Sequence, residues 1–311
     1  MRKLRCIIIA FVIVSTNSIA QNYLDIAKVK NGFVPSNEYE EVDGETTVNN
    51  FVVKVTYPIV INKKLVFLTG LDYSNINLKP LPSKSAINLM SSGIRLGITY
   101  NHTEKLKGIY LAMPKYIGNY KPGKNKYFQV GGVLLWKYKV KENLTYKFGF
   151  YGSSEVFGIN TTPILGLYYQ SLNKKFEVNL SLPISADINY KVLKNVRVGV
   201  EWLALTAGYD LNEYIIPSGY VQKATQEAGA YLQFDLWKEQ LILKTKFLYT
   251  MSIFRLYDDN ETVDLAVTGV FINDERPQLN NDFKKSMGFE VSLAYRFHIK
   301  KEEERETLKL D

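Results

Sequence analysis

The chain has 311 residues, of which 46% are hydrophobic, 23% charged and 13% aromatic, and its formal net charge is +8. The 22 Tyr and 16 Phe carry too much buriable surface for a disordered chain, and 20 Gly without a three-residue period exclude a collagen-like one. Residues 1–20 read as a cleaved secretory signal: Arg2, Lys3 and Arg5 precede the apolar run Cys6 to Val14, and Ser18-Ile19-Ala20 supplies small residues for cleavage. Its removal leaves 36 basic against 31 acidic residues, so the excess of positive charge no longer argues for a nucleic-acid partner. Cys6 is the only cysteine, and the mature chain therefore has no disulfide, thiol nucleophile or thiolate metal site.

From residue 21 onward the dominant signal has period two. In chain order, strands are expected near 24–34, 49–58, 65–73, 93–101, 108–117, 127–138, 144–152, 163–170, 176–182, 184–190, 196–206, 224–236, 241–257 and 286–298. Ile94, Leu96, Ile98 and Tyr100 alternate with Gly93, Arg95, Gly97 and Thr99; Leu144, Tyr146, Phe148 and Phe150 alternate with Thr145, Lys147 and Gly149. Val196, Val198, Val200 and Trp202 alternate in the same way with Arg197, Gly199 and Glu201. Successive side chains of a strand point to opposite sides, so each segment has one oily and one polar or small face. Asn- and Lys-rich tight turns, such as Asn62-Lys63-Lys64 and Asn173-Lys174-Lys175, suit hairpins. They alternate with longer links expected at 74–92, 118–126, 153–162, 207–223 and 258–285.

This pattern predicts an all-β chain forming a single antiparallel transmembrane β-barrel of about 14 strands over 21–298, with twelve the next consistent count, and a charged periplasmic tail at 299–311. Short turns at one end and long loops at the other are expected of outer-membrane barrels, and an even strand number returns both termini to the periplasmic side. Aromatic residues gather near the short turns (Tyr57, Tyr100, Trp136, Tyr138, Tyr190, Trp237 and Tyr295), as rings do at lipid headgroups. Charges sit on the opposite face at mid-strand, a face that a soluble sandwich would place in solvent and a barrel in its lumen. Arginine at lipid-facing Leu96, Phe148 or Val198 is accordingly expected to cost more than at Gly97 or Thr99.

The segment Ser286 to Phe297, with Gly288, Val291, Leu293, Tyr295 and the closing Phe297, resembles the signal read by the barrel-assembly machinery. With Tyr57-Pro58 and Leu182-Pro183, the layout is similar to outer-membrane β-barrel proteins of unknown function in Bacteroidota. The resemblance implies the outer membrane of a Gram-negative bacterium, with outer-membrane lipids, lipopolysaccharide and the assembly machinery as partners. It does not extend to receptors with an N-terminal plug domain, and chains of this layout usually end at the closing aromatic.

Chemistry is sparse. His102 and His298 map to the short-turn rim and read as exposed rim residues, so no catalytic residue, metal site or cofactor is expected. The acidic loop around Asp258, Asp259, Glu261 and Asp264 reads as solvated, as does the basic loop Lys121, Lys124 and Lys126. Asn-x-Thr triplets at 101, 143, 160 and 260 carry no meaning in a bacterial envelope. The informative set faces inward: Lys54, Arg95, Lys137, Lys147, Arg197, Lys244, Lys246 and Arg296 against Glu177, Asp187, Glu201, Asp235 and Glu290. Such a mixture can line a narrow polar channel for small hydrophilic solutes or ions, with a mild preference for anions. It can equally pair across the bore and seal it, leaving a structural or assembly barrel that binds a partner through its loops or tail.

Overall fold

Every strand leaves backbone N–H and C=O groups along both edges, and these must be paired wherever water cannot reach them. Here they are paired by closure. The computed structural model describes residues 23–118, 128–212 and 218–298; the signal sequence, the Lys121–Lys126 loop and the charged tail lie outside these residues. In chain order the strands are β1 (Tyr23–Glu38), β2 (Glu45–Val60), β3 (Leu65–Leu78), β4 (Ile87–Asn101), β5 (Leu106–Gly118), β6 (Phe128–Lys141), β7 (Leu144–Glu155) and β8 (Gly158–Gln170). They continue as β9 (Phe176–Ser181), β10 (Ser185–Leu193), β11 (Val196–Asn212), β12 (Ser218–Leu236), β13 (Leu241–Asp258), β14 (Leu265–Val267), β15 (Val270–Phe271) and β16 (Ser286–His298).

Each of β1 to β12 pairs antiparallel with the next; β16 pairs with β13 on one side and with β1 on the other, from Tyr23↔His298 to Phe33↔Phe289. The result is a closed barrel of fourteen antiparallel strands, β1–β13 and β16, and all fourteen strands expected from the period-two pattern are present. β14 and β15 form a small hairpin in the long link between β13 and β16, and β14 lies parallel to the upper edge of β8.

The barrel is inside-out over its lower half. On β16, Phe289 and Val291 are 57% and 50% exposed on the outside, while Glu290 and Ser292 are each 4% exposed on the inside. Water outside would reverse that pattern; a hydrocarbon surround demands it. Toward the long-loop end the pattern inverts. On β3 the inward side chains run from Asp72 and Ser74 to buried Ile76 and Leu78, while the outward ones run from Leu71 and Tyr73 to Asn75 and Asn77. On β4 the inward series runs from Arg95 to buried Leu89 and Ile87, and on β13 from Lys244 and Lys246 to buried Phe254 and Leu256.

This upper storey accounts for a difference from the sequence reading. The links expected at 74–92 and 153–162 are shorter, because β3, β4, β7 and β8 continue above the apolar belt and leave only 79–86 and 156–157 as connections. Likewise β11 runs to Asn212 and β12 starts at Ser218. A second correction concerns Gly97. A Cβ there would lie 2.0 Å from the Tyr110 carbonyl oxygen, so no side chain fits and arginine is not the mild change expected.

The inversion gives a depth prediction. Leu96→Arg and Phe289→Arg, on the apolar belt, should each cost ~2–4 kcal/mol, whereas Asn49→Arg, outward on β2 above the inversion, should stay within about 0.5 kcal/mol. Reversible urea unfolding from phospholipid vesicles measures all three.

Candidate functional site: an occluded bore

The inward charges are joined into networks. Glu290 on β16 accepts from Lys30 on β1 (2.7 Å) and from Lys246 on β13 (3.2 Å). Lys246 also lies 3.5 Å from Glu201 on β11, which is 3.1 Å from Lys244; Lys244 reaches Asp187 on β10 at 3.3 Å. Asp187 further accepts from the Tyr231 hydroxyl at 2.7 Å. Arg197 pairs with Asp235 (3.2 Å), Arg95 with Asp72 (2.6 Å) and Arg296 with Asp25 (2.7 Å). Lys147 donates to Asn179, and Lys54 stands opposite Asp72 in the β2–β3 register. Charges buried this deeply survive only when paired and hydrogen-bonded, which these networks supply.

Two layers cross the bore. Near the short-turn end, Glu177 on β9 accepts from the Tyr23 hydroxyl on β1, almost diametrically opposite, at 2.8 Å, and also from Tyr168 and Gln170. Below this bridge lies a cavity of about 570 Å³ whose rim carries Lys174, Lys175, Lys191 and Lys194 and whose floor includes Glu177, Arg197 and Arg296.

The second layer lies in the upper storey, where β11, no longer paired with β10 but still paired with β12, leans across to β5. Glu155 on β7 anchors it. Its side chain is fully buried, pairs with Lys115 at 2.8 Å, and accepts from the Gly208 backbone N–H at 2.9 Å and the Ser153 hydroxyl at 2.7 Å. Gln129 on β6 donates to the Gly208 carbonyl at 3.2 Å. Beside this strut Tyr209 and Leu211 pack into one apolar cluster with Val48, Ile76, Leu78, Leu89, Ile117, Phe254 and Leu256. The cluster fills the outer half of the bore.

The link from 259 to 285 clamps this end. Arg276 donates to the Tyr220 hydroxyl and to Gln222, each at 2.8 Å, pairs with Asp274 at 2.7 Å, and lies 4.1 Å from the Tyr257 ring centre. Asn280 completes the edge of β13, accepting from Leu256 N–H and donating to the Phe254 carbonyl, both at 2.8 Å. Arg255 grips Asp282 through two hydrogen bonds of 2.9 and 2.7 Å. Hydrogen bonds from Arg276 and Arg255 hold the Asp274 and Asp282 carboxyls below their usual 3.8.

Of the assembly-signal residues, Val291, Leu293 and Tyr295 are exposed on the outside, Phe297 stands opposite Leu24 across the seam, and Gly288 lies against Phe33. His102 is 2.6 Å from the Tyr110 hydroxyl within an outward aromatic group that includes Tyr100 and Trp136. Among the described residues, no group of three or more His, Cys, Asp or Glu is arranged to hold a metal ion. The sequence reading did not include Tyr23, Asp25, Asp72 or Glu155 in the bore. Tyr23 and Asp25 sit in the weakly alternating first strand, and Glu155 falls where a loop was expected.

No protein-family model matches the chain, and no curated protein sequence matches it. Among solved structures it is similar to an outer membrane channel from Pseudomonas putida F1 (7% identity, 88% of this chain and 95% of that one, TM-score 0.44). It is similar also to the NanC porin (7% identity, 86% and 98%, TM-score 0.38) and to the translocator domain of autotransporter NalP from Neisseria meningitidis (12% identity, 89% and 89%, TM-score 0.38). Scores of this size carry no activity across.

Two outcomes are expected. Lys246→Ala leaves Glu201 and Glu290 short of a shared partner and should cost about 3–5 kcal/mol in urea unfolding. For the clamp, carboxyls whose folded pKa is depressed add stability above their unfolded pKa and lose it as pH falls through the folded value. Asp274→Asn with Asp282→Asn should therefore expose the 259–285 link to hydrogen exchange at pH 7, with an effect that shrinks as pH falls through the depressed carboxyl values and the parent carboxyls become protonated.

Proposed function

We propose that this protein is an outer-membrane barrel of the channel type, with its termini and basic vestibule toward the periplasm and its axial path closed in the state described. The inside-out burial of the lower storey supports residence in a bilayer, and the alternation of short turns with longer links supports the orientation. The observation that carries the closed-channel reading is β11, which spans the bore on the Glu155 strut above a polar, hydrated-sized vestibule rather than merging into a uniformly packed interior. The lysine rim of that vestibule favours entry of small anionic or polar solutes, because a low-dielectric wall concentrates the field of even a modest charge excess.

A sealed barrel that serves as a structural or assembly component is the second reading, favoured by the apolar cluster filling the outer half. Planar-bilayer recording separates the two. The parent protein should be mostly silent, with brief openings, while Glu155→Ala releases β11 from β7 and β5 and should raise the open probability several-fold, with a reversal potential on the anion side under a salt gradient. Silence from both proteins at all voltages favours the sealed barrel. Recovery in the soluble periplasmic fraction instead of the outer membrane would end both readings.

A further inference from the structure

The wall of the barrel is not equally tall all round. β9 has six residues, while its neighbour β8 has 13 and the nearby β11 has 17. At roughly 3.3 Å per residue and a tilt of about 40°, six residues rise only about 15 Å, short of the ~25 Å apolar belt of an outer-membrane barrel. β8 meets β9 only through Tyr168, Tyr169 and Gln170, with one further bridge at Leu165↔Leu182. β10 leaves β11 at Leu203. Above the turn at 182–184 there is thus a notch between β8 and β11, at a height where the surround is hydrocarbon. The β14–β15 hairpin lies across its top like a lintel and turns Val270 (68% exposed) and Ile272 outward.

The notch leads into a cavity of about 220 Å³. Because β11 to β13 lean inward, the outward side chains of β12 and β13, such as Ala224, Met251 and Ile253, face the inward side chains Asn160 and Thr162 of β8 across this space. The walls are mainly apolar, but one group is out of place. Asn160 is 3% exposed, and its Oδ1 has no hydrogen-bond partner among the described residues. Buried acceptors in this condition cost free energy unless something donates to them.

We infer that the notch is a binding site, open sideways to the membrane, for a small uncharged molecule that is mostly apolar and carries a hydroxyl or N–H donor. The apolar body would lie against Ile184, Met251 and Ile253, and the donor would satisfy Asn160. A cavity of about 150 Å³ already admits a benzene-sized guest, so this one takes something larger. A charged solute is excluded, since its desolvation here has no counter-ion to offset it. This site is separate from the periplasmic vestibule and does not depend on whether the axial path conducts.

The test uses the full-length protein in phospholipid nanodiscs, dialysed to equilibrium against empty nanodiscs so that simple partitioning cancels. The probes are 1-naphthol and naphthalene, which differ by one donor. Excess uptake of 1-naphthol should saturate at one site per barrel. Asn160→Leu, nearly equal in shape, should weaken 1-naphthol at least about fivefold and leave naphthalene unchanged. Ala204→Trp should fill the notch and abolish both; if it does not show the heat-modifiable gel mobility of a folded barrel, Ala224→Leu takes its place. The inference is overturned by no excess uptake, by equal 1-naphthol affinity in Asn160→Leu, or by a phospholipid that the parent retains and the filled variant loses, which would make a lipid chain the occupant. None of these readouts involves a current, so they stand apart from the bilayer recordings.

Discussion

Strands have only two faces, and in this barrel each strand must satisfy two surroundings in succession. Along the lower storey the outside is apolar and the inside polar; along the upper storey the assignments exchange, on the same strand and without a break in the ladder. Hydrogen-bond closure makes this possible. Because β1 and β16 pair, the ring closes along that seam, and the side-chain chemistry must change where the surroundings change. The inversion on β3 and β4 therefore marks the upper limit of the apolar belt.

The two storeys also close the bore by different physics. Below, ion pairs and the Tyr23–Glu177 bridge fill it with groups that are costly to bury singly and tolerable only together. Above, β11 parts from β10, leans inward with β12, and brings Tyr209 and Leu211 into an ordinary apolar core. The polar layer leaves a vestibule and can rearrange by exchanging hydrogen bonds, whereas the apolar layer moves only if β11 moves. The buried carboxylate of Glu155 holds β11 in that position through Gly208. The same departure of β11 opens the wall beside β8, so plug and notch have one cause.

The barrel was legible in the sequence because period-two alternation with apolar residues on one face survives wherever the surround is uniform, as in Gly288 to Phe297. It faded where the pattern inverts: Asn75, Ile76, Asn77 and Leu78 continue β3, but with the opposite face apolar, and they read as the start of a loop. The inward charges Lys244, Lys246 and Glu201 were visible as a set, since strand parity assigns a face. Their partners were not. Tyr23 and Glu177 are 154 positions apart, and only the closed ring brings them together. Asn160 stood out merely as part of an Asn-x-Thr triplet; the short strand at 176–182 was legible, but not that the wall beyond it leaves the Asn160 Oδ1 without a partner.

The seam between β1 and β16 has a consequence for the order in which this molecule can be made. The first strand of the ring is paired by the last, with Lys30 latched to Glu290 across 260 positions of chain. Until the last strand is in place, the first strand lacks its neighbour on that side, and the twelve strands between have no finished ring to join. Contacts this distant in sequence are slow to form, since the loop they close is nearly the whole polypeptide. Until the seam forms, the free edges of β1 and β16 are open to pairing with other chains, so closure is the contact that protects the barrel from edge-to-edge aggregation.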